Sequence, residues 1–503
     1  MKKVFIFIAA TAFSFTVFAG GFVTNTNQSA KFLRNPARTA STEIDAIFSN
    51  PAGLSFMDGS FAISVNNQMA FQTRTIKSTF APFALNGGKE TKEYVGKAQS
   101  FFIPSIQIAY KIKNNWVISG SFSILGGGGT LKFNDGLPMF EAGVAGSLFQ
   151  NLTALNAAAV GKTGYTGTPL GYSLDMKLKG NSITYAGQLG LNYKVLNIVS
   201  FYAGARVCFV RNGYNGYLRN VQVTNGEALK TQFNNAAAYL ISQGKPENDP
   251  DVLQLKGAAM GVSQLEAGAA AVPPIVLDLK QNGWGMTPIL GAHFNWKNLN
   301  IGVRYEFNTK ITMKNKTKQN TSGLAAYDDK VKDRNDIPAL FSAGVSYGFL
   351  KGKLTPSVGV HVYLDKFAKM PDNKQKYLKH NSYEILMGLE YVINDRFLVS
   401  AGAQITRLGI TGGSKLKDQI KIIDDVPTVV GKIDGFQSNM SFYCNSFSIG
   451  FGGACNIIKG LALNLSYFYT GYDKYVNNNP GYPGKEVYNR TSHTVGIGLD
   501  YKF

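Results

Sequence analysis

The sequence ends Thr494-Val495-Gly496-Ile497-Gly498-Leu499-Asp500-Tyr501-Lys502-Phe503, an apolar and polar alternation that stops on an aromatic residue. Successive side chains of a β-strand point to opposite faces, so the five apolar residues from Val495 to Phe503 share one face. A transmembrane β-barrel turns its apolar face to lipid and keeps a polar lumen. The segment therefore predicts a membrane strand, and its terminal phenylalanine resembles the usual end of an outer-membrane barrel.

The same two-residue period recurs upstream, most clearly over 116–124, 301–307, 358–364, 383–391 and 447–451. Short turns and long polar connections alternate between these runs. The short turns lie near 113–115, 196–198, 296–298, 350–353, 394–396 and 457–460, and the long connections near 77–97, 130–170, 218–276, 314–335, 366–379, 412–437 and 474–490. Together they join fourteen strands, an even number as expected for bacterial barrels. The sequence predicts an all-β transmembrane antiparallel β-barrel over residues 60–503.

The composition of the 503 residues agrees with a barrel. The charged fraction is 16%, and there are 55 Gly, 25 Tyr and 34 Phe, which suits small residues in a lumen and aromatic residues at membrane interfaces. The net charge is +20, but the basic residues are scattered through loops and turns. We therefore expect no nucleic-acid binding, which would require a clustered basic face; anionic lipid headgroups or anionic substrates are the better partners.

The N-terminus predicts export. Met1-Lys2-Lys3 precedes an apolar run from Val4 to Phe18, which indicates a signal peptide over 1–19 with cleavage before Gly20. Residues 20–59 then precede the first strand and contain two Asn-Pro-Ala turns, at 35–37 and 50–52. Fourteen strands leave a wide lumen unless something fills it, so we expect this segment to be a hatch that plugs the barrel.

Two long connections have helical spacing. Residues 139–160 and 225–270 are rich in Ala, Leu, Asn and Gln. Helices at the outer mouth would offer a landing surface for an apolar ligand, or would only shield the barrel.

Residues 20–54 resemble the FadL/OmpP1/TodX family of outer-membrane transporters in its Bacteroidetes-type variant. The resemblance rests on Gly21-Phe22, on Arg34-Asn35-Pro36-Ala37-Arg38, and on Asn50-Pro51-Ala52-Gly53 within the segment 40–54. It implies passive transport of hydrophobic molecules, above all long-chain fatty acids and also aromatic hydrocarbons. It further implies capture at external loops, transfer to a lumen pocket near the hatch, and lateral release into the membrane. By motif position, Phe22 would lie near that pocket.

The resemblance also implies an inward kink in the third strand, expected here from Trp116 to Leu125. Gly126, Gly127, Gly128 and Gly129 follow this run, and glycines readily form a kink or bulge. They are our candidate lateral gate; the alternative is a glycine-rich lead into the external loop.

A carboxylate ligand would need a cation in the lumen. The candidate carboxylate-binding residues are Arg206, Arg304, Lys177 and Lys179, all in predicted strands. The alternative is that each is a structural lumen charge, paired with Glu306, Glu384 or Asp175.

Other functions stay open. A general or substrate-selective porin and an adhesin or phage receptor are the alternatives; an esterase is disfavoured because the G-x-S-x-G string at 344–348 lies within a predicted strand rather than at a strand–helix elbow. We expect no enzymatic activity, no catalytic residues, no cofactor and no metal. The expected setting is a monomer in the outer membrane, in contact with membrane lipid and lipopolysaccharide.

Overall fold

The computed structural model describes residues 27–113, 115–410, 415–423 and 426–503. Within them, fourteen antiparallel strands close into one barrel. The strands are β1 Phe61–Thr79, β2 Thr91–Lys113, β3 Trp116–Phe133, β4 Gly171–Leu196, β5 Val199–Thr224, β6 Ile275–Trp296, β7 Leu299–Glu306 with Thr312–Asn320, β8 Lys332–Arg334 with Leu340–Tyr347, β9 Leu354–Tyr363, β10 Ser382–Val392, β11 Phe397–Arg407, β12 Ser446–Ile458, β13 Leu461–Tyr472 with Tyr475–Asn477, and β14 Lys485–Lys502.

Each strand pairs with its neighbour in sequence, and β1 pairs with β14 from Ala62–Lys502 to Thr79–Lys485, which closes the barrel. Short turns join strands at one end, here called the turn end. Long connections join them at the other, here called the outer end. The predicted fold class and strand number are confirmed.

The outward face of the barrel is apolar and the inward face is polar. On β10, Tyr383, Ile385, Met387, Leu389 and Tyr391 are exposed, and the residues between them are more buried. The C-terminal strand does the same, with Ile497, Leu499 and Tyr501 exposed. Burial in lipid is the physical reason for such a surface, since each apolar side chain removed from water stabilises the membrane-embedded state.

The hatch lies in the lumen. It contains α1 Ala30–Arg34, α2 Ala46–Ser49 and a 3₁₀-helix Pro51–Phe56, and nearly all of its residues from 27 to 55 are buried. Ser29 caps α1 by accepting a hydrogen bond from the Phe32 amide. The predicted plug is thus confirmed as part of the fold. The predicted signal peptide, its cleavage site and Phe22 lie outside the described residues.

The long connections carry the remaining elements. Three helices decorate the outer end: α3 Pro138–Thr163, α4 Gly226–Ser242 and α5 Pro250–Ala270. Both segments predicted to be helical therefore contain helices. Short 3₁₀ turns lie at Ala81–Leu85, Ala325–Tyr327, Leu350–Gly352, Asp365–Phe367 and Pro371–Tyr377, and a separate hairpin pairs Leu416–Ile423 with Val426–Asp434.

One large apolar core holds this outer layer together. Leu148 and Leu152 of α3, Phe233 of α4 and Leu255 of α5 are buried in it with inward residues of the strands. None of the described helices is long and apolar enough to cross a membrane.

Candidate functional site

The second Asn-Pro-Ala turn joins the hatch to three strands. The Asn50 side-chain amide donates to the Ala292 carbonyl of β6 at 3.0 Å. The Pro51 carbonyl accepts from Asn192 of β4, and the Ala52 carbonyl accepts from the Ser200 hydroxyl of β5 at 2.7 Å. Buried backbone carbonyls need partners, and here the barrel wall supplies them.

Gly53 completes this motif because there is no room for a side chain. A Cβ at this position would overlap the Ser41 carbonyl oxygen and approach the His293 ring. The hatch motif Asn50, Pro51, Ala52 and Gly53 is therefore a packing and hydrogen-bonding element, fixed against the wall over β4 to β6.

The first Asn-Pro-Ala turn is flanked by buried ion pairs. Arg34 pairs with Glu390 of β10 at 2.8 Å, and Arg38 pairs with Asp45 within the hatch, also at 2.8 Å. Lys31 reaches Asp500 of β14 at 2.8 Å. Breaking a buried pair leaves an uncompensated charge, which destabilises by several kcal/mol, so these contacts fix the hatch in one position.

Glu43 makes this network sensitive to pH. Its side chain is 45% exposed to the lumen. Desolvation there opposes ionisation of the carboxyl, but Lys31, Arg38 and Arg34 outweigh it and hold the pKa of Glu43 below its usual range. Such a carboxylate stabilises the folded state above its ordinary pKa, and the contribution is lost as pH falls. We expect the hatch to loosen and the barrel to show brief openings as the pH falls below 4.5, the ordinary pKa of the group.

Single-channel recordings of wild type and Glu43→Gln over the acid range measure this effect. The variant lacks the titrating group, so it should open more often at neutral pH and respond less to acid. Identical pH profiles for the two proteins would contradict the assignment to Glu43.

A lumen cavity of about 390 Å³ lies between the hatch and the outer layer. Its volume falls within the ~300–1,000 Å³ of typical ligand sites. The hatch contributes Gln28 and Leu33 to its lining. Apolar side chains contributed by the strands and the outer layer include Ile103, Ile124, Leu125, Phe133, Leu178, Leu408, Met440 and Phe468.

Two arginines face each other in this cavity. Arg74 of β1 and Arg490 of β14 are direct cross-strand partners, and both line the cavity. The lining contains no Asp or Glu among the described residues, and the buried Nε of Arg490 has no hydrogen-bond partner there. Like charges placed opposite each other on a sheet are destabilising. The pair is therefore a candidate anion-binding position at one wall of an otherwise uncharged cavity.

The barrel wall loses its regular hydrogen bonding beside the cavity. The pairing of β2 with β3 lapses between Gln99–Thr130 and Ser105–Ser123. We call the unpaired stretches, residues 100–104 of β2 and 124–129 of β3, the β2–β3 gap. Asn67 of β1 compensates in part, since its side chain accepts from the Ile103 amide at 2.9 Å and donates to the Phe101 carbonyl at 3.1 Å.

The four consecutive glycines lie in this gap. Gly127 and Gly128 have φ of 78° and 98°, a region that side-chain-bearing residues rarely adopt. A Cβ at Gly127 would overlap the Ser182 carbonyl of β4. Gly126, Gly127 and Gly129 line the lumen cavity, and exposed Phe101 and Phe102 lie on the lipid-facing surface beside it.

The strand that carries these glycines is longer than expected. The prediction that β3 ends at Leu125 is wrong, because Thr130–Phe133 resumes pairing with both neighbours after two bulges. The glycines are thus an interruption within a strand rather than a lead into a loop.

The structure does not bring the four candidate cations to the cavity. Arg206 and Arg304 are buried under the hatch and both pair with Glu306; Arg304 also donates to the carbonyls of Phe48 and Ser49. Lys177 and Lys179 flank Leu178, which lines the cavity, so they lie on the opposite face of β4. Arg206 and Arg304 match the alternative of lumen charges paired with Glu306.

Sequence reasoning missed Arg74 and Arg490 because neither lies in a motif. Their proximity follows from the register of the first and last strands. The available signal was weak: each occupies an inward position of a strand in which most inward residues are uncharged. Pro104 was another missed signal, because a proline inside β2 cannot donate to the ladder and weakens pairing beside the gap.

No protein-family model matches the sequence, and no curated protein matches it. Solved structures do match. A Pseudomonas aeruginosa FadL homologue is similar at 12% sequence identity and a TM-score of 0.55, over 96% of this chain and 100% of that chain. The Pseudomonas putida toluene transporter TodX is similar at 13% identity and a TM-score of 0.51, over 95% and 99% of the chains.

A mutant of TodX described as a monoaromatic hydrocarbon channel is similar at 14% identity and a TM-score of 0.51, over 94% of this chain and 99% of that one. Identities this low establish architecture only. The chain therefore has the fold of the FadL-homologue and TodX structures: a fourteen-stranded transmembrane barrel, here with an N-terminal hatch in its lumen.

Proposed function

We propose that the protein is a FadL/TodX-type outer-membrane transporter that passively admits hydrophobic molecules bearing a carboxylate, with long-chain fatty acids as the main substrates. The observation that carries this proposal is the lumen cavity, where apolar and uncharged polar side chains surround an arginine pair with no carboxylate beside it, next to the lapse in β2–β3 pairing. A plug on the turn-end side of the cavity disfavours a general porin, which needs an open aqueous path.

The route follows from solvation. Each CH₂ removed from water contributes about 0.8 kcal/mol, so release of a long chain into an aqueous compartment forfeits a large free energy. Release through the β2–β3 gap would deliver the chain directly into the hydrocarbon of the membrane. The exposed Phe101 and Phe102 would receive it at the lipid-facing surface, and the four glycines of β3 would serve as the lateral gate.

The outer helices supply the entrance. Val160 of α3, Tyr239 of α4, and Leu253 and Met260 of α5 are exposed apolar side chains on the outer layer. They offer a first, weak contact for an amphipathic ligand before it enters the lumen.

Arg74 and Arg490 favour a carboxylate over a neutral hydrocarbon. The similar TodX structures are described as toluene and monoaromatic hydrocarbon channels. An aromatic hydrocarbon gains only a cation–π contact from an arginine, whereas a carboxylate gains charge-assisted hydrogen bonds. A carboxylate between the two guanidinium groups would form charge-assisted hydrogen bonds and relieve their repulsion. The ligand's alkyl chain would then extend along the apolar side chains of the cavity, such as Ile124, Leu125 and Phe468.

The double variant Arg74→Gln, Arg490→Gln tests this function. We expect its affinity for oleate to fall by about tenfold or more, because hydrogen bonds to charged groups contribute roughly 1.5–3 kcal/mol each. Affinity for the neutral oleyl alcohol should change little. Binding is measured by fluorescence titration of the purified barrel.

Lys77→Gln, an exposed charge on the outward face of β1, is the matched control and should bind oleate like wild type. If the double variant bound oleate as tightly as wild type, the arginine pair would be excluded as the carboxylate site. Equal losses for oleate and oleyl alcohol would show a collapsed cavity instead of a lost anion contact.

A further inference from the structure

Three lysines form a cross-strand row on the outward face of the barrel, at its outer end. Lys97 of β2 is the direct partner of Lys132 of β3, and Lys132 is the direct partner of Lys179 of β4. Lys97 and Lys132 are exposed, and Lys179 is half-buried. We call these three residues the rim lysines.

The rim lysines have no carboxylate to neutralise them. None forms an ion pair within the part of the chain that the structure describes; the nearby Asp175 is paired with Arg219, and Glu93 lies opposite Lys77 on β1. Cross-strand neighbours have Cβ atoms roughly 5 Å apart, and like charges at that spacing are destabilising. A row of three is therefore a position at which an anion lowers the free energy.

The row lies just beyond the apolar band that faces lipid. On β2 the nearest exposed apolar residue is Phe101, four positions towards the turn end from Lys97. Four residues of a tilted strand rise roughly 10 Å, which places the ammonium groups in the headgroup layer above the hydrocarbon. The long side chains can also bend towards that layer.

The same arrangement recurs farther round the barrel. Lys280 of β6 is the direct partner of Lys316 of β7, and Lys314 of β7 is the direct partner of Lys332 of β8. All four are exposed on the outward face. The basic rim is thus repeated on separate strands at the outer end.

We propose that the rim lysines bind the phosphate groups of an anionic glycolipid in the outer leaflet. Phosphate matches the row in charge and in its several acceptor oxygens. The row is continuous with the lipid-facing band, so a headgroup would reach it with its acyl chains packed against Phe101 and its neighbours. Because the row flanks the β2–β3 gap, the same lipid would line the outer border of that opening.

Native mass spectrometry of the full-length, detergent-solubilised barrel tests the proposal. The probes are diphosphorylated lipid A and the same lipid A after removal of its phosphates. Wild type should bind the phosphorylated form about tenfold more tightly or better. The triple variant Lys97→Gln, Lys132→Gln, Lys179→Gln should lose about tenfold or more of that affinity, because it removes all three charges that face the phosphates.

The matched control is Lys113→Gln, Lys353→Gln, Lys459→Gln, which removes the same charge from the turn end and should bind like wild type. The proposal would be overturned if the rim variant bound phosphorylated lipid A as tightly as wild type, or if the control variant lost as much affinity as the rim variant. Displacement of the lipid by excess inorganic phosphate would also overturn it, because it would indicate a site for free anions. Heat-modifiable mobility on gels confirms that each variant has a folded barrel.

Discussion

Deleting residues 27–54 is expected to convert a closed barrel into a steadily conducting pore. The strands close on each other without the hatch, through the β1–β14 pairing, so the wall does not depend on it. Without the hatch, water can enter the lumen and solvate its polar side chains, which include Arg206, Arg304 and Glu306. Fourteen strands then enclose an aqueous channel.

Planar-bilayer recordings measure this change directly. Heat-modifiable mobility and resistance of the barrel to protease show that the wall is still folded. A folded deletion variant with the conductance of wild type would mean that the outer layer, and not the hatch, closes the path.

Filling the β2–β3 gap is expected to abolish transport while ligand binding persists. Ser100 donates to the Gly128 carbonyl at 2.9 Å and lines the cavity beside the glycines. Ser100→Phe would place a ring between the two strands at the point where their pairing lapses. Uptake of labelled oleate should fall to that of cells without the protein, and oleate should still bind the purified barrel.

Ser100→Ala is the matched control, because it removes the hydrogen bond without filling the gap. A second variant approaches from β3: Gly126→Val should also stop uptake, and Gly126 does not have the positive φ of Gly127 and Gly128. Gly187→Val, at a glycine with open space around it, should not. Wild-type uptake of oleate by both substituted variants would contradict lateral exit through the β2–β3 gap. Loss of oleate binding would instead assign the glycines to the ligand site.

Much of the wall could be predicted because each strand repeats one simple rule. Alternation in 383–391 or 495–503 gives each strand one apolar and one polar face, which fits a strand with one face in lipid and the other in the lumen. The alternating short and long connections indicate the order of the strands. Loop lengths and helix-compatible composition likewise predicted α3, α4 and α5. Each of these patterns is local in sequence.

The lumen could not be predicted in the same way, because its contacts join residues far apart in sequence. Arg206 and Arg304 have the right residue type and the right face, yet Glu306 and the carbonyls of the hatch use their charge. Arg74 and Arg490 are brought together only by the closing register of the barrel. Lys177 and Lys179 lie on the outward face of β4, because they alternate with Leu178, whose side chain lines the cavity.

The β2–β3 gap could be predicted in part from the sequence. The four glycines predicted an irregularity, but the lapse in pairing also needs Pro104 on the neighbouring strand and the Asn67 side chain on the next. Only the register places these three elements side by side.

The most direct test of hydrophobic transport is uptake of labelled oleate by a Gram-negative host that lacks its own fatty-acid transporter, with and without this protein. We expect the protein to restore uptake of oleate without a gain in permeability to hydrophilic solutes of similar size. No oleate uptake from a folded, surface-localised barrel, or an equal gain for hydrophilic solutes, would contradict it.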